Sequence, residues 1–111
     1  EEVKAEDYDA VVIPGGFSPD NMRRTRATVD FVKQMDKLEK PIAAICHGPW
    51  MMVSACDLKG KKATAFYSIK DDILNAGAEY LDQELVVDGH LITSRTPKDL
   101  PAFLKAIISK L

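Results

Sequence analysis

Cys46 and His47 stand side by side in Ala44-Ile45-Cys46-His47-Gly48 and are the residues of this chain best suited to chemistry at neutral pH. A thiol becomes a nucleophile once it loses its proton. An imidazole, with an ordinary pKa of about 6.5, can take that proton near pH 7. The spacing small-x-nucleophile-x-Gly is that of a nucleophile elbow, in which a strand turns sharply into a helix and lifts the nucleophile into a cleft. Small neighbours are needed because the backbone crowds itself there, and Ala44 stands where the usual pattern has Gly. A helix starting at the cysteine adds the positive end of a dipole and free N–H groups, both of which favour thiolate over thiol. Adjacent residues on a helix do not face each other, so the spacing alone does not dictate a contact between Cys46 and His47. The N–H of His47 is the natural oxyanion donor. Gly15 or Gly16, with no side chain in the way, supplies the second.

Other reactive types read as structural. Cys56, after Ala55 near a helix end, is expected to be buried as a small apolar residue. His90 follows Asp88-Gly89 and is expected to be solvated; no set of metal ligands clusters in the sequence, so no metal or other cofactor is expected. Arg23, Arg24 and Arg26 read as a solvated helix face or as contacts to a neighbouring subunit or anionic substrate. Trp50 and Tyr67 lie near strand ends and read as core more readily than as cleft lining. Asp71 and Asp72 suit the first turn of a short helix.

The elements that must position Cys46 alternate. Tyr8 to Pro14 is an apolar run closed by Gly15-Gly16, read as a parallel strand buried on both faces. Apolar spacing predicts an amphipathic helix from Arg26 to Leu38, halted by Pro41. Ile42 to Ile45 is a second strand, running directly into a helix that ends near Cys56. A weak strand over Ala63 to Tyr67 precedes a short helix, Ile69 to Ala76, closed by Gly77. Leu85 to Val87 and Leu91 to Thr93 flank Asp88-Gly89 as a hairpin. Thr96, Pro97 and Asp99 begin a last helix whose Leu100, Phe103, Leu104, Ile107, Ile108 and Leu111 form one apolar stripe expected to dock on the core. This order implies a doubly wound α/β fold, three layers deep, with a mostly parallel sheet and a hairpin at one side. Ligands in such sheets bind at the carboxyl ends of the strands, which singles out Gly15 to Asp20 and the turn at Cys46.

At 111 residues the chain suits one domain. Fifteen Lys and Arg against 17 Asp and Glu give a net charge of −2, so no basic field is present to hold nucleic acid or an anionic membrane surface. No apolar run approaches a bilayer span. Two cysteines are too few for a disulfide framework, and no secretory signal precedes Tyr8, which together point to the reducing cytoplasm.

Val12-Ile13-Pro14-Gly15-Gly16, Ala44-Ile45-Cys46-His47-Gly48-Pro49, Ser68 to Ala78, Val86-Val87-Asp88-Gly89 and Thr93-Ser94-Arg95-Thr96-Pro97 occur in the order that resembles the DJ-1/PfpI superfamily, in particular its branch of PfpI-like intracellular proteases and bacterial general stress proteins. The resemblance implies a flavodoxin-like sandwich with Cys46 as nucleophile and His47 beside it. It implies peptidase, deglycase or glyoxalase-like activity on a peptide or small-molecule substrate, stress-linked roles, and a homo-oligomer. In the PfpI branch an acidic residue after the Gly-Gly loop reaches the Cys-His pair of a neighbouring subunit; the matching position is Asp20, one methylene shorter than the usual glutamate. Family members also begin with a strand-helix-strand unit carrying a glutamate that hydrogen-bonds the sulfur. Nothing upstream of Tyr8 supplies it, so the sequence is expected to lack the N-terminal portion of its domain.

Two functional readings follow. In one, Cys46 attacks an electrophilic carbon, the N–H groups of His47 and Gly15 or Gly16 hold the oxyanion, and His47 shuttles the proton. In the other, the protein is a non-enzymatic stress protein that senses oxidation through Cys46 or holds clients on an apolar surface. A glutamine-amidotransferase-like domain fits less well, because its downstream His-x-Glu is not present at His90-Leu91-Ile92.

Overall fold

The structure is a computed structural model that describes residues 4–111. A 3-10 turn, Ala5–Asp7, leads to β1 (Val11–Ile13), α1 (Ser18–Arg23), α2 (Arg26–Lys37), β2 (Ile42–Ile45) and α3 (Pro49–Ala55). Next come β3 (Lys62–Ala63), a 3-10 turn Tyr67–Ile69, α4 (Lys70–Asn75), β4 (Glu79–Tyr80), β5 (Val86–Asp88), β6 (Leu91–Ser94) and α5 (Leu100–Lys110). The main sheet has the order β1-β2-β6-β5, parallel except for the antiparallel β5–β6 hairpin. β3 and β4 form a separate parallel pair bridged by α4. Among the described residues no helix is long and apolar enough to cross a membrane.

β2 is central and buried at all four positions, as an all-apolar strand with helices on both sides must be. On one face Ile13, Ile42 and Ala44 pack with Val32 and Met35 of α2 and Met51 and Met52 of α3. On the other, Ala43, Ile45 and Ile92 meet Phe103 and Ile107 of α5. Helices on both faces of a mostly parallel sheet give the expected three layers.

Several expectations change. β1 is not buried on both faces: Val12, which lies in one cross-strand row with Ala43 and Ile92, is 49% exposed because α5 covers β2 and β6 but not β1. The α5 stripe does not dock as a whole. Phe103 and Ile107, one turn apart, are buried, whereas Leu104, Ile108 and Leu111 belong to the next row round the helix and are 50%, 69% and 72% exposed. The sheet face of Ala43, Ile45 and Ile92 takes up the Phe103 and Ile107 row only. Ser18 to Asp20, read as part of the loop that starts at Gly15, instead begin α1, with Pro19 in its first turn. The strand over Ala63 to Tyr67 shrinks to Lys62–Ala63, since Tyr67 already belongs to a 3-10 turn.

The hairpin turn is one residue further on than read, at Gly89-His90, because Asp88 pairs with Leu91. His90 is not solvated: its Nε2 lies 2.6 Å from Asp36 Oδ1, and both side chains are largely buried. The second oxygen of Asp36 accepts the N–H of Asp57, so one carboxylate ties the end of α2 to the hairpin and to the chain leaving α3. Gly77 closes α4 at a φ of 95°, as its sequence position implies.

At the end of β6, Asp99 accepts the N–H groups of Arg95 and Thr96 and faces the Arg95 guanidinium at 3.1 Å. Burial opposes its ionisation, but these hydrogen bonds and the Arg95 charge outweigh it and hold the carboxyl below its ordinary range. A carboxyl with a lowered folded-state pKa adds stability above its unfolded pKa and loses it as pH falls through the folded value. Asp99→Asn is therefore expected to cost about 2 kcal/mol at neutral pH. Thermal melts of both proteins should converge as the pH is lowered from 6 towards 2.

Candidate active site

Parallel pairing brings the carboxyl ends of β1 and β2 side by side, with Ile13 opposite Ala44. The Pro14-Gly15-Gly16 loop leaves one strand as the Cys46 turn leaves the other. Only glycine fits at two points. A Cβ on Gly15 would lie 2.8 Å from Cys46 Cβ and 3.3 Å from its Sγ, and one on Gly48 would lie 2.6 Å from Ile13 O and 2.9 Å from both Ile45 N and Ile45 O. The predicted crowding at an elbow is thus present, and it falls on Gly48 and Gly15 rather than on buried Ala44.

Cys46 has a φ of 64°, a region that a side chain with a Cβ enters only under constraint. The constraint is backbone hydrogen bonding. Cys46 N–H donates to Ser94 O at 3.0 Å, Phe66 N–H donates to Cys46 O at 2.8 Å, and Gly48 N–H donates to Ile45 O at 2.8 Å. The conformation turns Cys46 out of the β2 line. α3 does not begin at the cysteine itself: Cys46 to Gly48 form a turn and the seven-residue helix starts at Pro49. The same turn explains how neighbours in sequence meet. Neither residue is helical, and Cys46 Sγ lies 3.4 Å from His47 Nδ1.

The His47 ring is held on three sides. It stacks on Phe66 at 5.1 Å, lies 5.4 Å from the Trp50 ring, and places Nε2 3.2 Å from Ser68 Oγ. Trp50 is fixed in turn by its Nε1–H, which donates to Asp72 at 2.6 Å, with the Arg23 guanidinium 5.6 Å from its ring centroid. Trp50 thus packs against the edge of the core and also borders His47, whereas exposed Tyr67 lies beside Phe66 rather than in the core. Asp71 and Asp72 do sit in the first turn of α4.

Sequence reasoning missed Ser68 and the cage of Phe66 and Trp50. No local pattern marks them, since Ser68 reaches His47 across 21 residues. The signal that exists is the backbone bond from Phe66 to Cys46, which appears only once the chain is folded.

Among the described residues, the N–H groups of His47, Gly15 and Gly16 donate to no other residue, which leaves them available to an oxyanion. Beside Cys46 is a depression of about 190 Å³ lined by Gly15, Gly16, Ile45, Cys46, Pro97 and Leu100. Asp20 is not part of this assembly within one chain. It lies on α1, exposed, with its Oδ2 3.3 Å from Arg24.

A larger depression of about 570 Å³ lies at the opposite ends of the strands, around Asp36, Cys56 and His90. Its cysteine is no nucleophile: burial, then the Asp36 charge, pushes the Cys56 thiol up to about 12, so it keeps its proton at neutral pH.

Comparison with known proteins shows the family. The sequence model described as the DJ-1/PfpI family matches residues 1–110. The chain is 42% identical over 111 residues to a protein of Pyrococcus furiosus named deglycase PfpI, covering all of this chain and 67% of that one. It is 49% identical over 104 residues to general stress protein 18 of Bacillus subtilis, covering 93% of this chain and 60% of the relative. A crystal structure from Anabaena variabilis, a two-domain protein with a DJ-1/ThiJ/PfpI-like and a ferritin-like domain, superposes with a TM-score of 0.95 at 54% identity, covering 97% of this chain and 31% of that one. The chain spans about two thirds or less of the length of the curated relatives it matches.

Proposed function

The chain belongs to the DJ-1/PfpI family, whose fold is flavodoxin-like, and from that premise we propose that it is a cysteine-dependent hydrolase that removes carbonyl adducts from amines, with Cys46 as nucleophile and His47 as its base. The observation that carries this is the turn itself. A cysteine held at a φ of 64° beside glycine-only backbone, with its sulfur 3.4 Å from an imidazole nitrogen, is arranged for attack and for no evident structural purpose.

The Cys46 proton passes to His47 Nδ1, and sulfur bonds to the electrophilic carbon. The carbonyl π pair moves onto oxygen, where the N–H groups of His47 and of Gly15 or Gly16 hold the negative charge. The oxyanion collapses, the C–N bond breaks and the amine leaves with the proton from His47; water then gives a proton to His47 and attacks the sulfur-bound carbon, and Cys46 leaves as thiolate and regains that proton. The apolar depression beside Cys46 suits a small uncharged carbonyl fragment better than a charged one. The name of the Pyrococcus relative supports deglycation, a second Bacillus subtilis relative, 49% identical, is named a putative cysteine protease, and the name general stress protein 18 supports a stress-linked role.

Residues 1–111 are read as belonging to a single domain of this family, acting in the cytoplasm as a homo-oligomer in which Asp20 approaches the pair from a neighbouring subunit. Light scattering that gives the mass of one chain would remove the role of Asp20. The activity is tested by free amine regained from a methylglyoxal-treated amino acid in the presence of this protein. Regeneration above the protein-free rate, absent in Cys46→Ala, is expected; equal rates for the two proteins contradict the proposal.

A further inference from the structure

The geometry points to Ser68 as a positioning residue that sets the tautomer of His47, a role that rests on the reading of His47 as base. A neutral imidazole carries one proton, and which nitrogen bears it decides what the ring can do. His47 has a partner at each nitrogen: Cys46 Sγ 3.4 Å from Nδ1 and Ser68 Oγ 3.2 Å from Nε2. With the proton on Nδ1, the ring donates to a thiol sulfur, a weak acceptor, and has no lone pair towards the proton it is meant to remove. With the proton on Nε2, the ring donates to a hydroxyl oxygen, a good acceptor, and presents the Nδ1 lone pair to the Cys46 S–H. The better acceptor takes the N–H, so Ser68 selects the tautomer that is competent as a base.

The arrangement also holds after proton transfer. The imidazolium then donates through Nδ1 to the thiolate and through Nε2 to the same Ser68 oxygen, so the ring need not turn between the two states. Ser68 is neutral, and it orients the ring without adding a charge to the site. Among the described residues of one chain no carboxylate takes this place, and Asp20 is engaged by Arg24. The ring plane is fixed independently by Phe66 and Trp50, leaving the hydroxyl to choose the nitrogen. Ser68 itself is exposed in the 3-10 turn Tyr67–Ile69, so its substitution does not disturb the core.

The test is the tautomer of His47, read from the ring nitrogens by long-range proton–nitrogen NMR in the wild-type protein, Ser68→Ala and Ser68→Thr. The inference predicts Nε2–H in the wild type and in Ser68→Thr, which keeps a hydroxyl, and a mixture with Nδ1–H in Ser68→Ala. At pH 7, alkylation of Cys46 should slow about tenfold in Ser68→Ala, the equivalent of one neutral hydrogen bond, while Cys56 is unchanged. A wild-type ring carrying its proton only on Nδ1, or a proton distribution and alkylation rate unaltered in Ser68→Ala, overturns the inference. The NMR result needs no turnover, so it stands or falls apart from the proposed activity, which the Cys46→Ala assay decides.

Discussion

Cys46→Ala is expected to lower amine regeneration by at least about 10⁴-fold, the scale seen when a nucleophile that acts with its base is removed. The fold should survive. The bonds that hold residue 46 are made by its backbone to Ser94 and from Phe66, and none needs the sulfur. The φ of 64° is as accessible to alanine as to cysteine. Circular dichroism and the melting temperature should therefore change little while turnover is lost. Cys56→Ala is the paired control. Its thiol is held protonated at the far end of the sheet, and its loss should leave turnover within about twofold. Retained activity in Cys46→Ala would mean that the elbow is structural and that catalysis, if any, lies elsewhere.

The second large effect concerns Gly48→Ala. The added methyl would meet Ile13 O at 2.6 Å and Ile45 N and O at 2.9 Å, all backbone atoms of the two strands that frame the site. None is the end of a flexible side chain, so relief requires the ends of β1 and β2 to move apart. A cost of about 3 kcal/mol is expected, read from the denaturant midpoint, with loss of Cys46 reactivity because the turn is displaced. Gly60→Ala provides the comparison. Unlike Gly48, whose φ is −52°, it has a positive φ of 77°, and a Cβ there meets nothing within 4 Å, so only the backbone term of about 1 kcal/mol remains. Equal costs at the two positions would show that crowding at the elbow is not what fixes the cysteine.

Much of this architecture can be read from the chain. The β-α-β order, the hairpin and the elbow follow from short apolar runs punctuated by glycine and proline, because buried parallel strands and sharp turns demand those residues locally. What escapes is set by distant partners. His90 is drawn inward by Asp36, 54 residues away, and no hairpin rule anticipates that. Four of the six residues of the α5 stripe stay exposed because the breadth of an apolar pattern says nothing of how much sheet lies beneath it. Within the site, Cys46, His47, Gly15 and Gly16 are legible from spacing, and Asp20 only through resemblance to a family. Ser68 is legible from neither, since its meeting with His47 depends on the bond between Phe66 and Cys46.

The central claim is that Cys46 is the reactive thiol of this protein. The most direct measurement is competitive alkylation by limiting iodoacetamide at pH 7, with Cys46 and Cys56 read in the same sample by peptide mass spectrometry. Labelling of Cys46 at least about tenfold faster than Cys56 in the native protein, with the difference abolished by denaturant, is the predicted result. Labelling of Cys56 at an equal or greater rate in the folded protein would contradict it.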